Sequence, residues 1–286
     1  MICVTGASGT LSSEVIQQLE AAKAPFRAAY FSRQKTEAAR ARGIDAVVID
    51  YSNPETLRVA FQGCDKLFLL GPTLPNQTQL ELNAVEAAKQ ADIPHIVKQS
   101  VMAAHEERYI IARVHRAVEQ GIESSGMAWT LLRPNSFLQN VVTFMRDTIR
   151  NESVFYSSSS DARISHVDVR DIAAVAVRAL TDPGHVGKAY TLTGPQALTY
   201  DELAGELSKS LGRTIRHVNL SPADLKAGMV AQGAPEEIAD WLIDIERFYR
   251  EDGASRITDD IKRVTGRDPR RFREFARDYA SVLQPS

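Results

Sequence analysis

The sequence predicts an α/β protein built on a doubly wound parallel sheet, with a small α+β lobe at its C-terminal end. Through residue 134, short apolar segments alternate with segments of helical spacing. Parallel strands need such crossover helices, so the alternation indicates a parallel sheet. Beyond residue 134 the alternation loosens into short strands and several helices. We therefore divide the chain into a main domain, 1–134, and a lobe, 135–286, from which some segments return to the sheet.

The composition is that of an ordinary globular protein. The 286 residues are 44% hydrophobic and 24% charged, with a formal net charge of -2. This charge favours neither a nucleic-acid nor a membrane surface. Cys3, Cys64 and the histidines show no disulfide framework and no metal-ligand spacing, so we expect no metal. No apolar run approaches the roughly 20 residues that span a bilayer, and we expect no signal peptide and a cytoplasmic location.

The N-terminal segment carries the main binding signal. A short strand over Ile2 to Val4 meets a turn with two glycines, and a helical apolar pattern follows. Such a strand, glycine turn and helix N-terminus bind a pyrophosphate through free N–H groups and the helix dipole. The segment predicts a Rossmann-type dinucleotide site. Its expected cofactor contacts are Gly6, Ala7, Ser8, Gly9, Thr10 and Leu11.

The second predicted strand, Pro25 to Phe31, indicates which dinucleotide binds. An NAD site usually has an acidic residue about 20 positions after the glycines, and this segment has none. Ser32 and Arg33 follow instead and suit a 2′-phosphate. We therefore expect NADPH rather than NADH. The alternative is that Arg33, like Arg40 and Arg42, is a solvated helix charge.

The third predicted strand, Ala46 to Asp50, ends at Asp50 and Tyr51. Ligands of a parallel sheet gather at the carboxyl ends of its strands, so both residues should border the adenine. Asn53 followed by Pro54 is a helix start signal.

Three further strands complete the main domain. They are predicted at Lys66–Leu70, closed by Gly71 and Pro72, at His95–Gln99 and at Trp129–Arg133, with a long helix over Gln77–Ala91. Because their carboxyl ends lie at the same edge, we expect cofactor contacts there from Leu70, Gly71, Pro72 and Gln99.

The lobe is predicted to pack over that edge and to form the cleft for a second ligand. Thr199 and Glu202 cap a helix that runs through Leu211. The run Ser157 to Ser160 suggests a mobile loop at the rim of the cleft. The other lobe elements are short strands at Ile164–Asp168 and Ala189–Leu192 and helices near Pro222–Ala231, Pro235–Arg250 and Pro269–Ser281.

Five motifs make the chain resemble the NmrA-like atypical short-chain dehydrogenase/reductases. They are Val4-Thr5-Gly6-Ala7-Ser8-Gly9, Ser32-Arg33, Asp50-Tyr51, Leu131-Leu132-Arg133-Pro134-Asn135 and the segment His166 to Ile172. The helix with His115-x-x-x-Glu119 is most similar to bacterial type-2 NADPH:quinone oxidoreductases and triphenylmethane reductase. The resemblance implies a Rossmann domain, NADPH and a C-terminal lobe that holds the substrate.

Two departures from the family pattern matter. Ser12 stands where the usual fingerprint has its third glycine. The tyrosine–lysine pair of orthodox short-chain dehydrogenases is missing, because Tyr109 and Arg113 have the spacing but arginine is not a tunable ammonium.

The resemblance also implies roles near the nicotinamide. His115 occupies the position of a catalytic lysine in some relatives and, titrating near neutrality, offers a proton or a hydrogen bond. Ser100 follows the fifth strand, where a hydroxyl donor is expected. Glu119 lies one turn after His115, and orients it or faces solvent. Asn135 and Phe137 are expected beside the nicotinamide, with Phe137 shielding one face. Each has a plainer alternative in ordinary packing or cofactor orientation.

These observations predict an NADPH-dependent oxidoreductase that transfers hydride to a small planar acceptor, a quinone being the expected one. The alternative is a non-catalytic NADP(H)-binding sensor, because the resemblance extends to regulators and the tyrosine–lysine pair is absent. A nucleotide-sugar isomerase or epimerase is a weaker alternative, since it relies on the missing tyrosine. The expected partner is a small molecule, and the chain is expected to be a monomer or homodimer.

Overall fold

The computed structural model describes residues 1–285 and confirms the α/β class. Its strands are β1 (Ile2–Val4), β2 (Phe26–Tyr30), β3 (Ala46–Val48), β4 (Lys66–Leu69), β5 (His95–Gln99), β6 (Ala128–Pro134), β7 (Val154–Ser157), β8 (Lys188–Leu192) and β9 (Arg216–Asn219). Seven of them form one sheet in the order β3-β2-β1-β4-β5-β6-β8, and β7 pairs with β9 in a second, two-stranded sheet.

Helices connect these strands. In chain order they are α1 (Thr10–Ala21), α2 (Arg33–Ala41), α3 (Pro54–Phe61), α4 (Gln77–Gln90), α5 (Ile110–Ser124), α6 (Asn140–Phe144), α7 (Arg146–Glu152), α8 (Val169–Thr181), α9 (Tyr200–Leu211), α10 (Pro222–Ala231), α11 (Glu236–Arg250), α12 (Asp260–Thr265), α13 (Phe272–Asp278) and α14 (Ala280–Leu283). No helix in residues 1–285 is both long and apolar enough to cross a membrane.

The order of the large sheet reverses at β1. Val4 is in parallel register with Ala28 of β2 on one side and with Phe68 of β4 on the other. The chain therefore leaves β1 toward β2 and β3, and then returns to β4 on the opposite side. In doubly wound sheets the ligand crevice opens at this switch point, beyond the carboxyl ends of the strands.

The chain folds into two compact units. The first comprises residues 1–105, 113–133 and 169–190, and the second comprises 106–112, 134–168 and the chain from residue 191 onward.

In the first unit the core lies between the sheet and its helices. Leu57 and Phe61 of α3 are fully buried beside Leu67 of β4 and Cys3 of β1. They are four residues apart, so they share one face of the helix. Burying side chains of this size stabilises the fold by about 1.5–3 kcal/mol each. The Asn53 start signal is confirmed, because its side chain accepts the Glu55 N–H at 3.1 Å.

In the second unit, β7 and β9 run parallel and α9 follows the predicted capping box. The Thr199 side chain accepts the Glu202 N–H at 3.1 Å, and Glu202 accepts the Thr199 N–H at 2.9 Å. The helix ends at Gly212, whose φ of 66° is the left-handed conformation that glycine tolerates best.

Two predictions for the lobe are wrong. Ile164–Asp168 is not a strand, and it makes only isolated bridges, Ile164 with Leu198 and Phe137 with Val167. The predicted helix over Pro269–Ser281 is two helices, α13 and α14, and begins only at Phe272.

The prediction of a mobile loop at Ser157 to Ser160 is also wrong. Ser157 to Ser159 are buried, and Glu246 accepts the Ser158 N–H at 3.1 Å as well as the Ser159 hydroxyl. Ser157 Oγ lies 2.8 Å from His217 Nε2. A run of serines predicts a loop when no hydrogen-bond partner lies nearby in the sequence. Here the partners, His217 and Glu246, are about 60 to 90 positions away, so the sequence did not indicate them.

Candidate cofactor and catalytic site

The glycine turn lies at the switch point and is tightly packed. Gly6 has a φ of +62°, and a Cβ there would lie 2.9 Å from the Leu70 carbonyl oxygen. The N–H of Ala7 donates to the Ala29 carbonyl of β2 at 3.1 Å, and the N–H of Gly9 donates to Gly6 at 2.8 Å. Position 6 therefore requires glycine for conformation and for space.

The N-terminus of α1 is open to an anion. Its N-cap residue is Gly9, which has no side chain to accept the first N–H groups. Its first turn starts with the uncharged residues Thr10 and Leu11. The free N–H groups and the helix dipole suit a phosphate.

Ser12 replaces a glycine without strain. It is fully buried, and its hydroxyl donates to the Thr5 carbonyl at 2.8 Å. This hydrogen bond therefore links α1 to the start of the turn that follows β1, at the position where the resemblance implies a glycine.

Arg33 is the first residue of α2 and is exposed. Within residues 1–285 its guanidinium has no hydrogen-bond or ion-pair partner, which leaves it available to a ligand. Ser32 is the N-cap of α2, and its hydroxyl accepts the Lys35 N–H at 3.3 Å. The serine therefore shapes the helix start that presents the arginine.

Asp50 and Tyr51 have structural partners. Asp50 accepts the N–H and the hydroxyl of Ser52 at 2.8 and 2.6 Å, and these hydrogen bonds lower the pKa of its carboxyl. Tyr51 is buried, its hydroxyl donates to the Leu70 carbonyl at 2.7 Å, and burial raises its pKa. Tyr51 thereby links the ends of β3 and β4.

The segment Leu70–Gly71–Pro72 is held at the end of β4. Thr5 Oγ1 accepts the Leu70 N–H at 2.9 Å, and Glu81 Oε1 accepts the Gly71 N–H at 2.7 Å. A Cβ at Gly71 would lie 2.5 Å from the Cγ atom of Glu81. Glycine is needed here because the carboxylate lies directly against the backbone.

Lys98 and Glu81 form a buried ion pair that the sequence analysis did not select. Their side chains are 0% exposed and Nζ lies 2.8 Å from Oε1. The Lys98 ammonium also donates to the Gln99 carbonyl and lies 3.3 Å from Nδ1 of His115. The signal in the sequence was a lysine directly after Ile96 and Val97 in a predicted strand. The structure shows that every residue of this strand is buried, where a lysine is rare unless it is paired.

His115 does not titrate near neutrality, which corrects the sequence-based expectation. Burial and the neighbouring Lys98 ammonium hold its pKa well below the usual value. The imidazole is neutral at pH 7, so it offers a hydrogen bond rather than the proton of an imidazolium.

Ser100 and Glu119 belong to a second buried polar cluster. Ser100 Oγ donates to Glu119 Oε1 at 2.6 Å, and Arg133 donates to both carboxylate oxygens at 2.9 and 2.7 Å. Arg116 adds a bond at 3.1 Å. Burial raises the Glu119 pKa, but the bonds from Arg133, Ser100 and Arg116 outweigh it and lower the pKa overall.

Glu119 therefore neither orients His115 nor faces solvent, and both sequence-based alternatives are wrong. Its partners are Ser100 and two arginines. The spacing of the sequence does not indicate this ion pair, because Glu119 lies on α5 and Arg133 lies 14 positions away on β6.

The remaining predicted residues lie in both units. Gln99 is buried, and its side-chain amide donates to the Ser100 carbonyl at 2.5 Å. In the second unit, both amide hydrogens of Asn135 have acceptors, Ser165 Oγ at 2.8 Å and the Ala254 carbonyl at 2.9 Å. Phe137 is half-buried beside Val167. The Asn135 side chain thus stabilises the packing of its own unit.

In residues 1–285 no group of three or more His, Cys, Asp or Glu side chains is arranged to hold a metal ion. The residues do fit a dinucleotide, because a glycine turn without room for a Cβ meets an uncapped helix N-terminus and a free arginine.

Comparison with known proteins supports the Rossmann-type fold and the dinucleotide-dependent chemistry. The profile of the NmrA-like family matches residues 1–279. The chain is 38% identical, over 99% of both sequences, to an NAD(P)H azoreductase of Xenophilus azovorans. It is 29% identical to the Escherichia coli NADPH-dependent quinone oxidoreductase solved with NADPH, with a TM-score of 0.88 over 96% of this chain and 98% of that one.

Triphenylmethane reductase from Citrobacter sp., solved with NADP(H), is also similar. It is 28% identical with a TM-score of 0.86, over 98% of this chain and 99% of that one.

Proposed function

The chain belongs to the NmrA-like family, and we propose that it is an NADPH-dependent reductase of small planar acceptors, with a quinone as the substrate class. The observation that carries the proposal is the glycine turn at the switch point, where Gly6 has no room for a Cβ and α1 begins without a side-chain cap. The relatives named for NAD(P)H-dependent reduction of azo compounds, quinones and triphenylmethanes support the direction of the chemistry.

The cofactor supplies the hydride, and the residues of this chain bind and orient it. The N–H groups at the start of α1 would hold the pyrophosphate, and the Arg33 guanidinium would hold the 2′-phosphate. Leu70, Gly71 and Pro72 form the wall beside the central ribose, held by Thr5, Tyr51 and Glu81. A wall fixed by hydrogen bonds would hold the bound cofactor in one orientation, and such positioning is what a protein contributes to a hydride transfer.

Asp50, Gln99, Asn135 and Phe137 remain proposed cofactor contacts. Gln99 is the last residue of β5, at the same edge of the sheet as the glycine turn. For Asn135 and Phe137, the proposal that they flank the nicotinamide rests on the family resemblance.

The acceptor explains why the tyrosine–lysine pair is not needed. A reduced quinone is a stable anion that takes its proton from solvent, so positioning matters more than acid catalysis. The neutral His115 imidazole has an N–H to offer to the developing oxyanion. Ser100 positions rather than protonates, because its one hydroxyl proton is donated to Glu119.

The alternative function is a non-catalytic NADP(H) sensor. The azoreductase, the quinone oxidoreductase and the triphenylmethane reductase are all named as enzymes, which favours the reductase hypothesis over the sensor. A sensor binds NADPH and leaves it unoxidised whatever acceptor is added.

The test is loss of NADPH absorbance with the full chain and a panel of quinones, with NADH in parallel. Turnover of at least one quinone with a preference for NADPH is the expected result. Tight NADPH binding without turnover of any quinone, azo dye or triphenylmethane dye would establish the sensor. Absence of NADPH binding would refute both readings.

A further inference from the structure

The buried cluster of Glu81, Lys98 and His115 has an arrangement that fixes where the histidine carries its proton. All three side chains are buried, and the Lys98 and Glu81 side chains are completely so. A charged lysine inside a protein is stable only when its protons are donated to good acceptors.

The Lys98 ammonium has three protons and no acceptor site. Three acceptors surround it: Glu81 Oε1 at 2.8 Å, the carbonyl of Gln99, and Nδ1 of His115 at 3.3 Å. If the lysine is charged, Nδ1 must accept. A neutral imidazole that accepts at Nδ1 carries its proton on Nε2.

We propose that Lys98 is a positioning residue that holds His115 in the neutral tautomer with the proton on Nε2. The catalytic consequence rests on the proposed function: the ring then keeps a permanent N–H donor for an acceptor's oxygen. The tautomer itself follows from the cluster and does not depend on what the protein reduces.

The same cluster links this histidine to the proposed cofactor wall. Glu81 Oε1 accepts both the Lys98 ammonium and the Gly71 N–H, the latter at 2.7 Å. The carboxylate thus anchors the lysine that sets the tautomer and the backbone beside the cofactor. Substitution of Glu81 alone would disturb both functions and leave Lys98 without its counter-ion.

The experiment is ¹⁵N–¹H correlation NMR of the full chain labelled in its histidines, at neutral pH. His115 is expected to show a protonated Nε2 and an Nδ1 shifted upfield from that of a free acceptor nitrogen. The signals are assigned with the variant His115→Gln. A protonated Nδ1 in the wild type would overturn the proposal, because Lys98 would then be a neutral amine that accepts.

The second measurement uses the paired variant Glu81→Gln with Lys98→Met, which removes both charges together. The expected result is a mixture of tautomers, in which the averaged His115 Nδ1 signal moves upfield toward that of a protonated nitrogen while the Nε2 signal moves downfield. His95 is the internal control, because its Nε2 contacts Thr130 at 2.9 Å and its signals should not move. An unchanged His115 spectrum in a folded variant contradicts the proposal.

The two proposals fail separately. If the wild-type spectrum shows the Nε2 tautomer but no acceptor is reduced, the positioning role stands and the reductase function falls. If quinones are reduced but Nδ1 carries the proton, only the role of Lys98 is lost. If the paired variant does not fold, the wild-type tautomer alone decides the question.

Discussion

Ser100 and Glu119 are joined by a hydrogen bond of 2.6 Å between the serine hydroxyl and a carboxylate that is completely buried. The serine donates its only proton inward, so the bond anchors the chain just after β5. In Ser100→Ala the carboxylate loses a donor that burial prevents water from replacing. We expect the free energy of unfolding to fall by about 1–3 kcal/mol, measured by urea denaturation. Ser124→Ala is the control, because its exposed hydroxyl bonds only within its own helix, and its value should stay within about 0.5 kcal/mol of wild type.

The pKa of Glu119 predicts an acid dependence of stability. It is lowered in the folded chain, so this group stabilises above the unfolded value of about 4.3 and the contribution is lost as the pH falls through the folded value. In Glu119→Gln the arginine bonds are weakened. We expect its urea stability to lie below wild type at pH 7, and the difference to shrink below about pH 4. A constant difference down to pH 3 would show that Glu119 is not the titrating group.

His166 makes the stability of the fold depend on pH in a higher range than Glu119 does. Burial lowers its pKa to about 4, and its Nε2 has no hydrogen-bond partner among the described residues. The unfolded chain binds this proton from about pH 6.5 downward. Stability should therefore fall between pH 6.5 and 4, by roughly 3 kcal/mol in total for this group. NMR titration of His166 should show no protonation above pH 5, and protonation near pH 6.5 would contradict the burial.

Gly71→Ala tests the proposed cofactor wall. The new Cβ would lie 2.5 Å from Glu81 Cγ, so the backbone must move and the bond between Gly71 and Glu81 is strained. We expect a loss of about 1–3 kcal/mol in stability and weaker NADPH binding by calorimetry. Gly205→Ala, in an exposed part of α9 with open space around it, is the control. This variant should keep the wild-type affinity for NADPH, and its free energy of unfolding should rise by roughly 0.5–1 kcal/mol.

Arg33→Ala tests cofactor choice. Loss of a charge-assisted hydrogen bond to a 2′-phosphate should weaken NADPH binding by about 1.5–3 kcal/mol, roughly tenfold to a hundredfold in affinity. The affinity for NADH, which has no 2′-phosphate, should change little. Arg42→Ala on the same exposed segment is the matched control. Equal losses for both cofactors would remove the 2′-phosphate assignment.

Local patterns in the sequence were sufficient to predict the fold class and the strand, turn and helix of the proposed cofactor site. The strand at Ile2, the glycines at 6 and 9 and the helical spacing of α1 lie within 20 residues, so periodicity and turn chemistry describe them. The helix starts at Asn53 and Thr199 are equally local, because a cap bonds to a residue two or three positions away.

The tertiary structure alone decided which polar side chains meet inside the fold. Lys98 joins Glu81 and His115 across 17 positions each, and Arg133 reaches Glu119 across 14. The sequence by itself predicted a dinucleotide site at the end of β1. The protonation of His115 and the partners of Glu119 depend instead on burial and on charges from neighbouring strands and helices. Hydrogen bonds and desolvation act through distance in space, and spacing along the chain does not encode that distance.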